Sequence, residues 1–224
     1  GEGRNVVILA DQFPSNVYPW REALRRDGGE LRTVIPQHGQ WTPSVVAAID
    51  ANTAIVAIPH CHWLNGAMLD LGTISARCHA TDTALVLDLS QSAGVVPFSV
   101  GDVDPDFAVS VAEKWLLGPV QLAFLYVAPR HQQGRPIEHG WVGRAIDNAR
   151  HLHSYTDSYR SGARRFDAGE RTNIINLSIA IESNEQIVEW GIGAIAPSIA
   201  ELTEQIASRA AALGYSVDPG EFRA

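Results

Sequence analysis

The chain has 224 residues, of which 46% are hydrophobic and 19% charged, and its formal net charge is −8 at pH 7. This composition predicts a folded globular protein, and the negative charge argues against a nucleic-acid partner, which requires a basic face. No apolar run reaches the roughly 18 residues of a membrane span, so we expect no membrane association. The start of the chain lacks the pattern of a secretory signal. We therefore expect a reduced, cytoplasmic protein.

The basic residues are distributed unevenly along the chain. Together lysine and arginine number 17, but Lys114 is the only lysine. A compositional bias toward arginine explains this scarcity without explaining the position, beside Trp115 and just before the pair Gly118-Pro119. Lys114 is therefore a candidate functional amine, with an ordinary surface lysine as the alternative.

Short apolar runs alternate with helical patterns in the first half of the chain. Runs rich in valine and isoleucine between turn residues are typical of buried strands, and they predict strands at residues 6–10, 31–35, 54–58, 84–88, 107–111 and 121–127. Helices are predicted at residues 19–26, 43–50 and 69–79. This alternation predicts an α/β fold with a mainly parallel sheet. Ligands bind beyond the carboxyl ends of such strands, so the loops after Ala10, Ile58, Asp88 and Val111 are expected to surround one site.

The second half of the chain has a different character. Residues 131–167 are polar, and two helices are predicted after them, at 173–190 and 195–213, ended by Gly191 and Gly214. We expect residues 1–170 to form part of a large domain. Residues 171–224 are expected to supply connecting helices and the start of a smaller, incomplete domain.

A carboxylate and an amine follow two successive predicted strands. Asp88 ends one strand, and Lys114 follows the next. A strand-end aspartate alone is often only a helix cap, but an aspartate and a lysine at neighbouring strand ends can face one small ligand. Pyridoxal 5′-phosphate (PLP) requires such a pair. The amine forms a Schiff base with its aldehyde, and the carboxylate keeps its pyridine nitrogen protonated.

Two further side chains would complete a PLP site. The amide of Gln91 can hydrogen-bond the phenolic oxygen of the ring, and Phe13 lies in the loop after the first strand, where it can stack on the ring. The alternatives are a turn-stabilising amide for Gln91 and simple core packing for Phe13.

The order of these motifs resembles the class V aminotransferase family of fold-type I PLP enzymes. This family includes cysteine desulfurases, selenocysteine lyases, kynureninases and isopenicillin N epimerase-like proteins. The resemblance rests on Asp-x-x-Gln-Ser-x-Gly from Asp88, on Lys-Trp-Leu-x-Gly-Pro from Lys114, and on the Phe-Leu-Tyr-Val strand that follows. It extends in family order from residue 6 to about 215. The resemblance implies the large domain of a fold-type I enzyme, with Lys114 as the Schiff-base lysine.

The resemblance also implies roles for residues in two other segments. His62 and Trp63 fall in a strand-end loop that lies near the cofactor's O3′ and the substrate. Thr172 falls in residues 165–173, which resemble a segment that reaches the cofactor phosphate of the partner subunit, with Arg165 and Arg171 as further candidates. These roles imply a homodimer with its active site at the interface and a small amino-acid substrate.

Several positions depart from the family pattern. Glu113 precedes the lysine where His or Tyr is common, and a carboxylate facing a phosphate would be repulsive. Ser110 is one step away from the usual phosphate-binding hydroxyl, and Val120 begins a stretch without the usual glycines. The resemblance places the family's phosphate-cradling loop upstream of residue 1, and its substrate-carboxylate arginine and, in desulfurases, its catalytic cysteine downstream of residue 224. We therefore expect the chain to be the middle of a longer enzyme.

The segment His60-Cys61-His62 superficially suggests a metal site. Structural zinc requires four ligands, and no second cluster supplies them, so we expect no metal. Cys61 and Cys78 are expected to be small buried residues rather than nucleophiles.

Two functional hypotheses follow. The first is a PLP-dependent enzyme that acts on an amino acid by transamination, by C–S, C–Se or Cβ–Cγ bond lysis, or by epimerisation. The pair Phe13-Pro14 favours the kynureninase-like and epimerase-like members over the desulfurases. The alternative is a non-catalytic fragment or degenerate relative that retains only the fold, which Glu113 and the altered glycine segment favour.

Overall fold

The computed structural model describes residues 3–146, 153–169 and 173–217. Within these ranges the strands are β1 (Asn5–Leu9), β2 (Glu30–Val34), β3 (Thr53–Pro59), β4 (Ala84–Asp88), β5 (Phe107–Val111) and β6 (Ala123–Val127). The α-helices are α1 (Tyr18–Asp27), α2 (Trp41–Ala48), α3 (Leu71–Ala80), α4 (Val100–Val103), α5 (Ile174–Trp190) and α6 (Ile192–Ala212).

The six strands form one sheet in the order β2-β1-β3-β4-β5-β6. Strands β1 to β5 are parallel, and β6 runs antiparallel to β5. The predicted α/β fold with a mainly parallel sheet is therefore confirmed. Strand β6 begins at Ala123 rather than at residue 121, because Gln121 has a φ of 67° and lies in a turn that an extended strand cannot include. Helix α4 was not among the predicted elements.

The two faces of the sheet are covered unequally. Helices α2 and α3 pack against one face, where a continuous core joins Val45 and Ile74 to Val7 and Leu85. On the other face, α1 covers β1 and β3. The paired residues Val109 of β5 and Leu125 of β6 lie on this second face and remain partly exposed. An open region therefore lies beside α1 on the second face, at the β4–β6 side of the sheet.

A network of charges fixes the amino-terminal end of the sheet. The carboxylate of Asp106, only 7% exposed, accepts hydrogen bonds from the Leu85 amide at 2.6 Å, from Arg130 Nε at 2.8 Å and from His131 Nε2. Burial alone would raise the pKa of Asp106, but these hydrogen bonds outweigh it and hold the pKa below its ordinary value of 3.8. The network joins β4, β5 and the turn after β6.

The chain after β6 contains short helical turns at Pro129–His131, Trp141–Gly143 and Gly162–Phe166 before the two long helices. Helix α5 begins with Asn173 as its cap, whose side chain accepts from the Asn176 amide at 3.1 Å. Of the described residues in α5 and α6, those that are buried are Ala180, Ile187 and Ala207. None of the described helices is both long enough and apolar enough to span a bilayer.

We predict that Asp106→Asn lowers the free energy of unfolding by about 2 kcal/mol at pH 7, because Arg130 and His131 lose a charged acceptor. The pKa of Asp106 is lower in the folded protein than in the unfolded chain. The stabilisation by the Asp106 carboxylate is therefore complete above pH 3.8, and it is lost as the pH falls through the pKa of the folded protein. Urea unfolding of the full-length protein measures both effects. The exposed Asp102→Asn is the control, and equal stability of the two variants at pH 7 would contradict the prediction.

Candidate active site

A cavity of about 400 Å³ lies at the carboxyl ends of the central strands. Its wall is built from the loops after β1, β3, β4 and β5, the four loops predicted to surround one site. The lining residues that bear on chemistry are Gln12, Phe13, Cys61, Trp63, Asp88, Ser90, Gln91, Ser110, Glu113 and Lys114. The structure therefore brings together five of the residues predicted for the site, namely Phe13, Trp63, Asp88, Gln91 and Lys114.

The loop after β4 presents one carboxylate oxygen and one amide to the cavity. The Ser90 amide donates to Asp88 Oδ1 at 2.9 Å, and Ser90 Oγ accepts from the Val111 amide at 3.3 Å. None of the described residues hydrogen-bonds Asp88 Oδ2 or the side-chain amide of Gln91. Asp88 is therefore oriented by its own turn, and one of its oxygens remains available to a ligand.

The loop that carries Lys114 is a tight turn held against the β4 loop. The Leu117 amide donates to the Lys114 carbonyl at 3.0 Å, and the Gly118 amide donates to the Ala112 carbonyl at 2.8 Å. Gly94 has a φ of 97°, and a Cβ at this position would lie 2.5 Å from the Trp115 carbonyl oxygen. Only glycine permits this approach, and the approach places Lys114 opposite Asp88 and Gln91.

Two aromatic rings form the side of the cavity opposite the lysine loop. Lys114 Nζ lies 5.7 Å from the centroid of the Phe13 ring. The Trp63 ring meets Phe13 edge to face, with centroids 5.5 Å apart. Phe13 is 43% exposed and Trp63 is 41% exposed. These rings offer an apolar surface to a flat ligand beside the amine.

His62, for which the resemblance implies a place near the cofactor, is not among the residues that line the cavity. Its chain neighbours Cys61 and Trp63 do line the cavity, and a turn follows at residues 63–65, where the Gly66 amide donates to the His62 carbonyl at 2.8 Å. Its ring is buried and stacks on Trp41, with centroids 5.1 Å apart and planes 13° apart.

Gln12 and Cys61 also line the cavity, although neither was predicted as a site residue. Gln12 is buried, its Oε1 accepts from the Leu9 amide at 3.0 Å, and its Nε2 has no described partner. Burial raises the pKa of the Cys61 thiol to about 11 and, with Asp106 nearby, that of Cys78 to about 12. Both thiols are therefore protonated at neutral pH and poor nucleophiles, as expected for small buried residues.

The segment inferred to reach a cofactor phosphate is only partly described. Thr172 and Arg171 lie outside the described residues. Arg165 is buried and does not line the cavity. It donates from Nη1 to the Gly134 carbonyl and from Nη2 to the Gln133 side chain, both at 3.1 Å.

The described residues show no metal centre, since no three His, Cys, Asp or Glu side chains among them lie close enough to hold an ion. His60 is buried against Phe98, and its Nδ1 has no described partner. Burial lowers the pKa of His60 from 6.5 to about 4, so the ring is neutral at pH 7.

The family model for class-V aminotransferases matches residues 1–215, and the chain belongs to that family. A kynureninase of Geobacillus thermodenitrificans is 29% identical over 90% of this chain and 49% of that enzyme. A cysteine desulfurase of an Enterobacter species is 30% identical over 89% of this chain and 48% of that enzyme. The chain therefore spans about half the length of these curated relatives.

The fold recurs in solved structures. The match to a cysteine desulfurase from Thermococcus onnurineus covers all of this chain and 56% of the desulfurase chain, with a TM-score of 0.84 and 19% sequence identity. These comparisons confirm the family resemblance and the fold-type I architecture predicted from the sequence.

We predict that His60→Leu makes stability less dependent on pH. In the parent protein the pKa of His60 is lower in the folded state than in the unfolded chain. As the pH falls, His60 of the unfolded chain therefore binds a proton first. Stability is then lost between pH 6.5 and about 4, by up to about 3 kcal/mol. Urea unfolding at several pH values should show a shallower slope for the variant. Parallel curves for parent and variant would contradict this account of His60.

Proposed function

We propose that this chain is part of a PLP-dependent enzyme that acts on a small amino acid, with Lys114 holding the cofactor through a Schiff base. The observation that carries the proposal is the cavity itself. An amine, a carboxylate with one available oxygen, a free amide and an aromatic ring, from Lys114, Asp88, Gln91 and Phe13, line the same 400 Å³ space. Membership of the class-V aminotransferase family supports this interpretation.

The cavity residues fit the ring of PLP better than its phosphate. A flat pyridine ring suits the face of Phe13, while the Asp88 carboxylate and Gln91 amide offer partners for a ring nitrogen and a phenolic oxygen. Lys114 is the only cation among the described lining residues, and Glu113 adds a second negative charge. The phosphate must therefore be bound mainly by groups outside the described lining, where Thr172 remains a candidate for a hydrogen bond and Arg171 for the balancing charge.

Each residue then has a definite task. PLP, when bound, supplies an electrophilic carbon and an electron-accepting ring. With PLP bound, Asp88 would hold a proton on the ring nitrogen, Gln91 would donate to the ring oxygen, and Phe13 would fix the plane of the ring. The Lys114 amine would accept or return a proton at the substrate α-carbon.

The reaction type is narrowed by the aromatic side of the cavity. Phe13 occupies the position at which, by the family resemblance, kynureninases have phenylalanine and desulfurases histidine. We therefore favour kynureninase-like or epimerase-like chemistry over desulfuration.

We further propose that the working enzyme is a homodimer with its site at the interface. The first turns of α5 expose a run of apolar side chains, Ile174, Ile175, Leu177, Ile179 and Ile181. Exposed apolar surface of this kind is typical of protein interfaces. Asn176 in the same helix donates to the Val120 carbonyl at 3.1 Å, which connects α5 to the loop that follows Lys114.

A second candidate function is a non-catalytic protein that retains the fold. The observation that favours it is Glu113, because a carboxylate beside Lys114 opposes a phosphate-bearing ligand. A purified full-length protein that takes up no PLP would support this alternative and exclude the enzyme.

We predict that Lys114→Arg abolishes the absorbance band of the PLP Schiff base, because guanidinium keeps the charge but does not form the imine. Turnover of any amino-acid substrate should fall by about 10²–10⁴-fold or more. The measurement is titration of the full-length protein with PLP, followed by absorbance and then by activity. An unchanged band in Lys114→Arg would show that another amine holds the cofactor.

We predict that Glu113→Gln binds PLP about threefold to tenfold more tightly, because one negative charge is removed from a cavity that must accept a phosphate. The gain should shrink at high salt. Fluorescence titration with PLP measures the change, and Glu22→Gln, which does not line the cavity, is the matched control. Equal or weaker binding by Glu113→Gln would show that this carboxylate does not oppose the cofactor.

A further inference from the structure

Two consecutive side chains hold two consecutive carbonyl groups on a distant loop. His62 Nε2 lies 3.1 Å from the Ala10 carbonyl oxygen, and Trp63 Nε1 donates to the Asp11 carbonyl at 2.7 Å. Each contact spans 52 residues of sequence. The dipeptide therefore ties the loop after β3 to the loop after β1.

The partners of His62 fix which nitrogen carries the proton. Its Nδ1 accepts from the Leu64 amide at 3.4 Å, so the proton of the neutral ring lies on Nε2 and is donated to Ala10. The flat stack on Trp41 holds the ring in this orientation. Because His62 is buried, its contact with the Ala10 carbonyl is protected from water.

The loop that receives these bonds is the one that carries Phe13. Asp11 has a φ of 51°, a left-handed conformation that a non-glycine residue adopts at a cost. The Phe13 ring is 43% exposed, so core packing holds it only partly. The hydrogen bonds from His62 and Trp63 therefore help to keep this loop, and with it the Phe13 ring, in one position.

We propose that the dipeptide His62-Trp63 is a clamp that positions Phe13 against the ligand of the cavity. Under this proposal His62 is a positioning residue that never touches the ligand, and Trp63 acts through the Asp11 carbonyl and the edge of the Phe13 ring. This proposal depends on the proposed function only in taking PLP as the ligand. Its effect on the loop exists without any ligand.

Two substitutions each remove the hydrogen bond to the β1 loop while keeping an aromatic ring, and His62→Phe also removes the bond that Nδ1 accepts from the Leu64 amide. His62→Phe retains a ring against Trp41, and Trp63→Phe retains a ring against Phe13. We expect amides of residues 9–17 in the cofactor-free full-length protein to exchange with deuterium about fivefold faster in each variant. His62→Gln, which restores a donor, should recover most of the protection, and Trp190→Phe, on an exposed face of α5, should change nothing.

The second arm measures PLP affinity in the same variants with and without Phe13→Leu. His62→Phe and Trp63→Phe should each weaken PLP binding about fivefold when Phe13 is present and have little further effect when it is absent. Unchanged exchange in both variants would overturn the clamp. So would a loss of affinity that persists undiminished in the Phe13→Leu background, since it would mean direct contact with the ligand or general damage. If the parent protein binds no PLP, the proposed function fails and the exchange arm alone decides the clamp.

Discussion

The candidate site depends on one close approach between two loops. The backbone of Gly94, after β4, lies so near the Trp115 carbonyl that a Cβ would stand 2.5 Å from its oxygen. This contact places the turn with Asp88 and Gln91 against the turn with Lys114. The parallel sheet brings the strand ends to one edge, but only the missing side chain lets the two turns meet. A carboxylate and an amine separated by a whole strand thus line one small cavity.

Much of this arrangement could be predicted from the sequence. Apolar runs predicted the six described strands, and for β1 to β5 the reason is that a parallel sheet covered by helices requires continuous apolar segments. The strand-end rule then predicted which loops share a site, and the structure places Asp88, Gln91, Lys114 and Phe13 around one cavity. Family order added roles for these residues, which composition and periodicity alone do not supply.

Other features of the site could not be predicted from the sequence, because they depend on the directions of side chains and on contacts between distant residues. The sequence places His62 and Trp63 in one loop, but only Trp63 lines the cavity. The carbonyl acceptors at Ala10 and Asp11 lie 52 residues away, and no local pattern specifies such pairs. Gln12 lines the cavity beside Phe13 yet carries no motif. Burial of Cys61 was expected, but its effect on the thiol pKa becomes visible only from the packing.

The central claim is that Lys114 bonds covalently to PLP within this cavity. The most direct measurement is borohydride reduction of the full-length protein loaded with PLP, followed by mass-spectrometric mapping of the modified peptide. The account predicts a single reduced adduct on the peptide that contains Lys114, the only lysine between residues 1 and 224. An adduct on a lysine outside this chain, or no adduct on a protein that has bound PLP, would contradict it.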